Sequence, residues 1–94
     1  MMSRYRVKEY TQQQAQKLGV EVRPSTNKGK KLDVYKRGEK IASIGDVRYA
    51  DYPSYVQTKG TTFANERRRL YKLRHEKDRH IKGTSGYYAD KLLW

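Results

Sequence analysis

Residues 66–80 read ERRRLYKLRHEKDRH, with seven Lys or Arg, two His and three acids. Residues of these types serve metal ligation, acid–base catalysis or anion binding. Metal ligation fails on spacing. HEKDRH is one residue longer than the HExxH motif, and His75 and His80, five apart, are turned about 140° from each other on a helix, so one metal cannot easily take both. Glu76 and Asp78 sit among bases and read as ion-pair partners. No Ser/His/Asp or Cys/His set stands out. A short basic chain would also struggle to enclose a pocket of about 300 Å³ or more. Neither enzymatic activity nor a cofactor or metal is expected.

Anion binding fits better. At 100° per residue, Arg68, Lys72, His75 and Arg79 follow the i, i+4, i+7, i+11 spacing of one helical ridge. Phe63, Leu70, Leu73 and Ile81 form a narrow apolar stripe on the other side. The spacing predicts a helix packed through that stripe, with the ridge facing phosphates or an acidic protein surface. Phosphate contacts release counterions and give salt-dependent, sequence-independent affinity. The ridge carries no Asn or Gln, so base reading in a groove is not indicated. Arg67, Arg74 and Lys77 flank the stripe and read as structural, with Arg74 placed to pair with Asp78 four residues on.

The elements around this helix are short. YTQQQAQKLG predicts a helix capped by Thr11 and stopped by Gly19. VEVRP reads as a strand ended by Pro24. STNKGKK is either a plain turn or a loop that offers Lys28, Lys30 and Lys31 to phosphates. KLDVYKRGEKIASIG is a hairpin signal with two registers. A three-residue loop at Gly38 pairs Leu32 with Ile44 and Val34 with Ala42; a two-residue loop pairs Val34 with Ile41. DVRYADYPSYVQTKG sets Tyr49, Tyr52 and Tyr55 three apart, and Asp46, Pro53 and Gly60 predict irregular structure there. Those rings can stack on bases or pack against the sheet or a neighbour. The long helix is predicted from Thr62 to about Lys82, roughly 30 Å, with Thr61 or Thr62 capping its start. After GTSG, Ser85 caps a last short helix.

Composition bounds the rest. The chain has 94 residues and a net charge of +12. Leu, Ile, Val and Phe number 16, a thin supply for a core. Nine Tyr and one Trp compensate in part. There is no cysteine, which excludes disulfides and thiolate metal sites and suits an intracellular or virion setting. No run reaches the roughly 20 apolar residues of a membrane span, and MMSRYRVKEY lacks the apolar segment of a signal peptide; no membrane role is expected. The charge is +6 over residues 1–31, +1 over 32–62 and +5 over 63–94. This pattern predicts one small folded domain in three segments: a basic N-terminal part with a short helix, a hairpin with the Tyr-rich segment, then the long helix with an apolar end. At that end Leu92, Leu93 and Trp94, with Tyr87 and Tyr88, either fold back onto the core or dock into a neighbouring subunit. The fold class expected is α+β, a small antiparallel sheet with one long basic amphipathic helix and short terminal helices.

Four stretches together, RPSTNKGKKLDVY, IGD with YADY, ERRRLYKLRHEKDR and GTSGYYADKLLW, resemble a family of small basic proteins of unassigned function found in large eukaryotic DNA viruses and tailed bacteriophages. The resemblance covers roughly residues 23–94 and is most specific at Tyr71 with Arg74–His75 and at the closing Gly-Tyr-Tyr to Leu-Leu-Trp. PSYVQTKG stands where a shorter linker is common, and the chain stops right after Trp94. The resemblance implies a viral setting and assigns no catalytic residue. Together with the thin core it leads to two expectations. One is a minor structural protein of a viral head, present in many copies. It would bridge major capsid or portal subunits through Tyr49, Tyr52, Tyr55 and the apolar end, and face packaged DNA after assembly in the host cytoplasm. The other is a non-virion protein that binds nucleic acid without sequence preference.

Overall fold

The computed structural model describes residues 5–94; the first four residues, which open the stretch read for a signal peptide and the basic N-terminal segment, lie outside it. The elements run α1 (Glu9–Leu18), β1 (Glu21–Pro24), β2 (Lys30–Lys36), β3 (Glu39–Asp46), α2 (Tyr52–Lys59), α3 (Thr61–Arg74) and α4 (Ser85–Leu93). The three strands form one antiparallel sheet in the order β1-β2-β3. The fold is α+β.

Side-chain alternation sets the sheet's inner face. Val22 pairs with Val34, Leu32 with Ile44 and Val34 with Ala42, and all five are buried. The turn that fixes this register combines features of both predicted loops. Arg37 and Gly38 both have positive φ, which makes a two-residue turn whose twist suits a hairpin. Lys40 then pairs with Tyr35 and Ala42 with Val34, so Ile41 is left over as a bulge. The bulge restores the Leu32–Ile44 register that a three-residue loop would give.

The core lies between this sheet face and two helices. Ala15 of α1 and Tyr88, Leu92 and Leu93 of α4 join Val22, Leu32, Val34, Ala42 and Ile44 in one buried cluster. The C-terminal leucines therefore complete the core in cis, the first of the two expectations for them. Gly45 makes room for this. Its φ is +78°, and a Cβ there would lie 2.7 Å from Leu93 Cδ1. Thr11, predicted as a cap, sits inside α1, buried, and donates to the Leu92 carbonyl at 2.8 Å; Lys8 holds the cap position with no side-chain bond. Thr84, not Ser85, caps α4 by accepting the Tyr87 N–H.

Two further predictions are corrected. Residues 52–59 are helical: Asp51 caps α2 by accepting the Ser54 N–H at 3.0 Å, and Pro53 falls in the first turn, where its missing N–H costs nothing. The proline marks a helix start, not a break. The long helix is also shorter than predicted. It begins at Thr61 after Gly60, without a threonine cap, and ends at Arg74; turns occupy residues 75–84. Residues 74–80 are all charged or His, so a continued helix would bury no apolar surface there to hold it.

The face on which α3 packs is reversed as well. Its only fully buried side chain is Ala64. Phe63, Leu73 and Ile81 are 44%, 62% and 55% exposed, and Leu70 is half-buried. The apolar stripe looks largely outward, and α4, not α3, covers the sheet.

Two buried carboxylates sit outside the apolar cluster. Asp33 accepts from Ser25 Oγ at 2.6 Å, Ser43 Oγ at 2.7 Å and Thr26 N–H at 3.1 Å. Asp51 accepts from Lys31 Nζ at 2.8 Å and Tyr5 Oη at 2.6 Å. Burial pushes both pKa values up, but these donors outweigh it and hold them below the usual carboxylate value. Its own burial, and then the contact with Asp51, push the Tyr5 phenol well up.

Two outcomes are expected. Leu92→Ala should cost about 2–5 kcal/mol, whereas Leu73→Ala should stay within about 0.5 kcal/mol; urea unfolding compares them. Depressed folded-state values mean that Asp33 and Asp51 contribute stability in full above the unfolded carboxylate pKa of about 3.9. That contribution is lost as pH falls through the folded values. The urea midpoint should therefore fall as pH drops below about 4, and Asp51→Asn should start lower and fall less.

Candidate functional site

The predicted basic ridge is turned inward. Lys72 Nζ lies 2.7 Å from Asp90 Oδ1, and Asp90, on α4, is 1% exposed. Arg79 Nη1 stands 3.5 Å from the other oxygen, Oδ2, and Lys91 Nζ 4.0 Å from it. The Arg68 guanidinium lies 3.4 Å from the centre of the Tyr52 ring and donates to Tyr10 Oη at 3.3 Å. Tyr10 and Tyr52 are themselves in ring contact at 5.5 Å. A buried carboxylate needs cations beside it, and this face of α3 supplies one. Arg79 reaches Asp90 because the chain turns after Arg74. Arg68, Lys72 and Arg79 are thus committed to internal contacts. Of the four ridge residues, His75 alone faces a cleft.

The remaining sequence-derived sites divide. Lys28 is exposed on its turn, while Lys31 is buried against Asp51. Tyr52 lies under Arg68, with its hydroxyl donating to Asn65 Oδ1 at 3.0 Å. Tyr87 is half-buried and edge-on to Tyr88. Tyr88, Leu92 and Leu93 spend their surface in the core. As protein-interface anchors these buried residues have nothing left to offer, whereas Tyr49 is 67% exposed.

Where the end of the sheet meets α3 and the end of α4, a cleft of about 530 Å³ opens, larger than the sequence suggested. One wall is aromatic. Trp94 stacks on Tyr71 at 4.4 Å with the rings 8° from parallel, and His75 follows at 4.3 Å on Tyr71. Tyr55 stands 6.2 Å from Trp94 and 5.4 Å from Phe63. Burial, then the negative charges of Asp90 and Asp78, push the Tyr71 phenol up to about 12, so it stays neutral.

Cations line the same cleft. Lys30, Arg67 and Arg74 face it, and among the described residues none of the three is in an ion pair. The predicted Arg74–Asp78 pair does not form; Asp78 lies 3.7 Å from His75 Nδ1 instead. One lining residue is acidic, Asp46. Hydrogen bonds from Arg48, helped by the nearby positive charge of Lys30, hold its pKa down to about 2, and Arg48 is the cation that pairs with it. The arrangement can hold an anion that carries a flat ring. Phosphate oxygens suit the guanidinium groups, and a planar ring suits the aromatic wall.

Sequence reasoning assigned Arg67 and Arg74 to structure, and singled out Tyr71 only through the resemblance. The available signal was Ala64, four residues before Arg68 and eight before Lys72: a small residue marks the side where a helix can approach its neighbours closely.

This division of cations has a direct check. Lys72→Gln should destabilise the fold by about 1–3 kcal/mol, the usual scale for a hydrogen bond to a charged group. The double variant Arg67→Gln/Arg74→Gln, which loses only a loose contact of Arg67 with the Tyr55 ring at 5.7 Å, should lose no more than about 1 kcal/mol. Circular dichroism melts read both. Compared with protein-family models, curated proteins and solved structures, the chain matches none of them.

Proposed function

We propose that this protein binds nucleic acid without sequence preference, through phosphate contacts made in the cleft. The observation that carries the reading is the convergence of Lys30, Arg67 and Arg74, none of them in an ion pair among the described residues, on one concave surface. Lys72 and Arg79 beside them are held by the buried Asp90 carboxylate. Other exposed cations such as Lys28 and Lys36 are scattered over the surface, and these three are the ones gathered in one hollow. Nucleic-acid phosphate is the abundant polymeric anion that guanidinium pairs grip well. The resemblance of residues 23–94 to small basic viral proteins fits a role in handling a viral genome, in the particle or in the host cytoplasm before assembly.

With three phosphates engaged, log K should fall against log salt with a slope of about −2 to −3. Arg67→Gln/Arg74→Gln should reduce that slope by about 1.5. Fluorescence anisotropy with a labelled oligonucleotide measures this. A slope unchanged in the double variant would move the contact surface elsewhere.

A second reading has its own observation. Phe63, Leu73 and Ile81 leave apolar surface in water, which suits an accessory head protein seated against a capsid or portal subunit. Mass spectrometry of purified particles should then detect the protein in mature virions; its absence would remove this reading.

A further inference from the structure

Resting on the nucleic-acid reading, we infer that the cleft is specific for a single strand: one base stacks in it and the flanking phosphates lie on its cations. Three observations lead there. The first is the shape. The cations line a hollow of about 530 Å³, not a projecting ridge. A nucleotide unit of a flexible strand can enter such a hollow; the rigid rod of a duplex meets only the rim. The ridge that would have suited a duplex, with Arg68, Lys72 and Arg79, is spent on Asp90 and on Tyr52.

The second is the wall. Trp94 stacks on Tyr71 at 4.4 Å, His75 lies against Tyr71 at 4.3 Å with its ring tilted by 32°, and the His75 side chain at the end of this aromatic row is 41% exposed. An aromatic row with an open end has no role in gripping phosphate. It can extend by one more flat ring, and an unpaired base supplies that ring without regard to sequence. Tyr49, 67% exposed and with the Arg48 guanidinium 5.7 Å from its ring centre, offers a second platform near the mouth.

The third is spacing. Arg67 and Arg74 are seven residues apart on α3, two turns or about 10 Å along its axis. Side chains set that far apart can each take a separate, successive phosphate of a strand, with Lys30 on the sheet side of the cleft.

Trp94 is the only tryptophan of the chain, so its fluorescence reports on this wall alone. The full-length protein is titrated with a short oligothymidylate, a duplex of the same length, an abasic phosphodiester of the same length, and thymidine monophosphate. The oligothymidylate should quench Trp94 saturably and bind about tenfold or more tightly than the duplex or the abasic strand. His75→Ala should weaken oligothymidylate about fivefold or more while leaving the abasic strand unchanged. Arg67→Gln/Arg74→Gln should weaken both strands. A matched loss of one positive charge outside the cleft, Lys36→Gln, should leave the preference for the single strand intact. Circular dichroism melts confirm that each variant is folded.

Equal affinity for the oligothymidylate, duplex and abasic strand, without quenching, would overturn the single-strand inference and leave the phosphate-binding reading standing. Monophosphate binding as tight as that of the oligothymidylate would overturn the strand and keep the stacked base. No binding of any probe would overturn both readings.

Discussion

The Asp90 carboxylate shapes more of this structure than any other single group. It sits on α4, in the helix that supplies Tyr88, Leu92 and Leu93 to the core, and it is almost completely withdrawn from water. A buried charge left alone is strongly unfavourable. The chain answers with Lys72 from α3 and Arg79 from the turns beyond it. That demand accounts for the reversed face of α3. It also accounts for the early end of the helix: a straight continuation would carry Arg79 along the helix axis, while turning after Arg74 brings it back to α4. With the basic face inward, Phe63 and Leu73 are left outward and Arg67 and Arg74 point into the cleft.

The same device recurs on the sheet. Asp33 is surrounded by Ser25, Ser43 and Thr26, and Asp51 by Lys31, Tyr5 and Ser54. Three buried carboxylates in so small a domain are an unusual way to tie elements together. Buried ion pairs seldom add much net stability, because desolvation offsets the attraction, but breaking one is costly. Their contribution is geometric. Asp51 starts α2 and anchors Lys31 of β2 in one step, which sets the helical half of the molecule against the sheet. The cleft lies along that seam.

Local patterns gave the sheet and hid the helix packing. The alternation of Leu32, Val34, Ala42 and Ile44 and the turn residues at Arg37–Gly38 were enough to predict the hairpin and its two registers, because those signals act between near neighbours. Gly19 stopped α1 for the same local reason. Pro53 misled because a proline that opens a helix and one that breaks it look alike until Asp51 is recognised as the cap. The orientation of α3 was hidden more deeply. A helical wheel ranks faces by hydrophobicity, and Phe63, Leu70 and Leu73 make the obvious inner face. What decides the matter is Asp90, twenty-two residues beyond Arg68 and invisible to any periodicity. The cleft was equally out of reach, since its wall joins Tyr55, Tyr71 and Trp94 from three separate helices and chain ends. Of the candidate residues read from the sequence, Lys30, Lys31, Tyr49, Tyr55, His75, Leu93 and Trp94 do line it.

If one buried carboxylate turns the basic face of α3 inward, Lys72 and Asp90 must be energetically coupled in the folded protein. A double-mutant cycle on Lys72→Met and Asp90→Asn, read by urea unfolding, measures that coupling directly. A favourable coupling energy of about 1 kcal/mol or more is expected. A value within about 0.3 kcal/mol of zero would contradict it, and would mean that the ridge of α3 is free to face solvent after all.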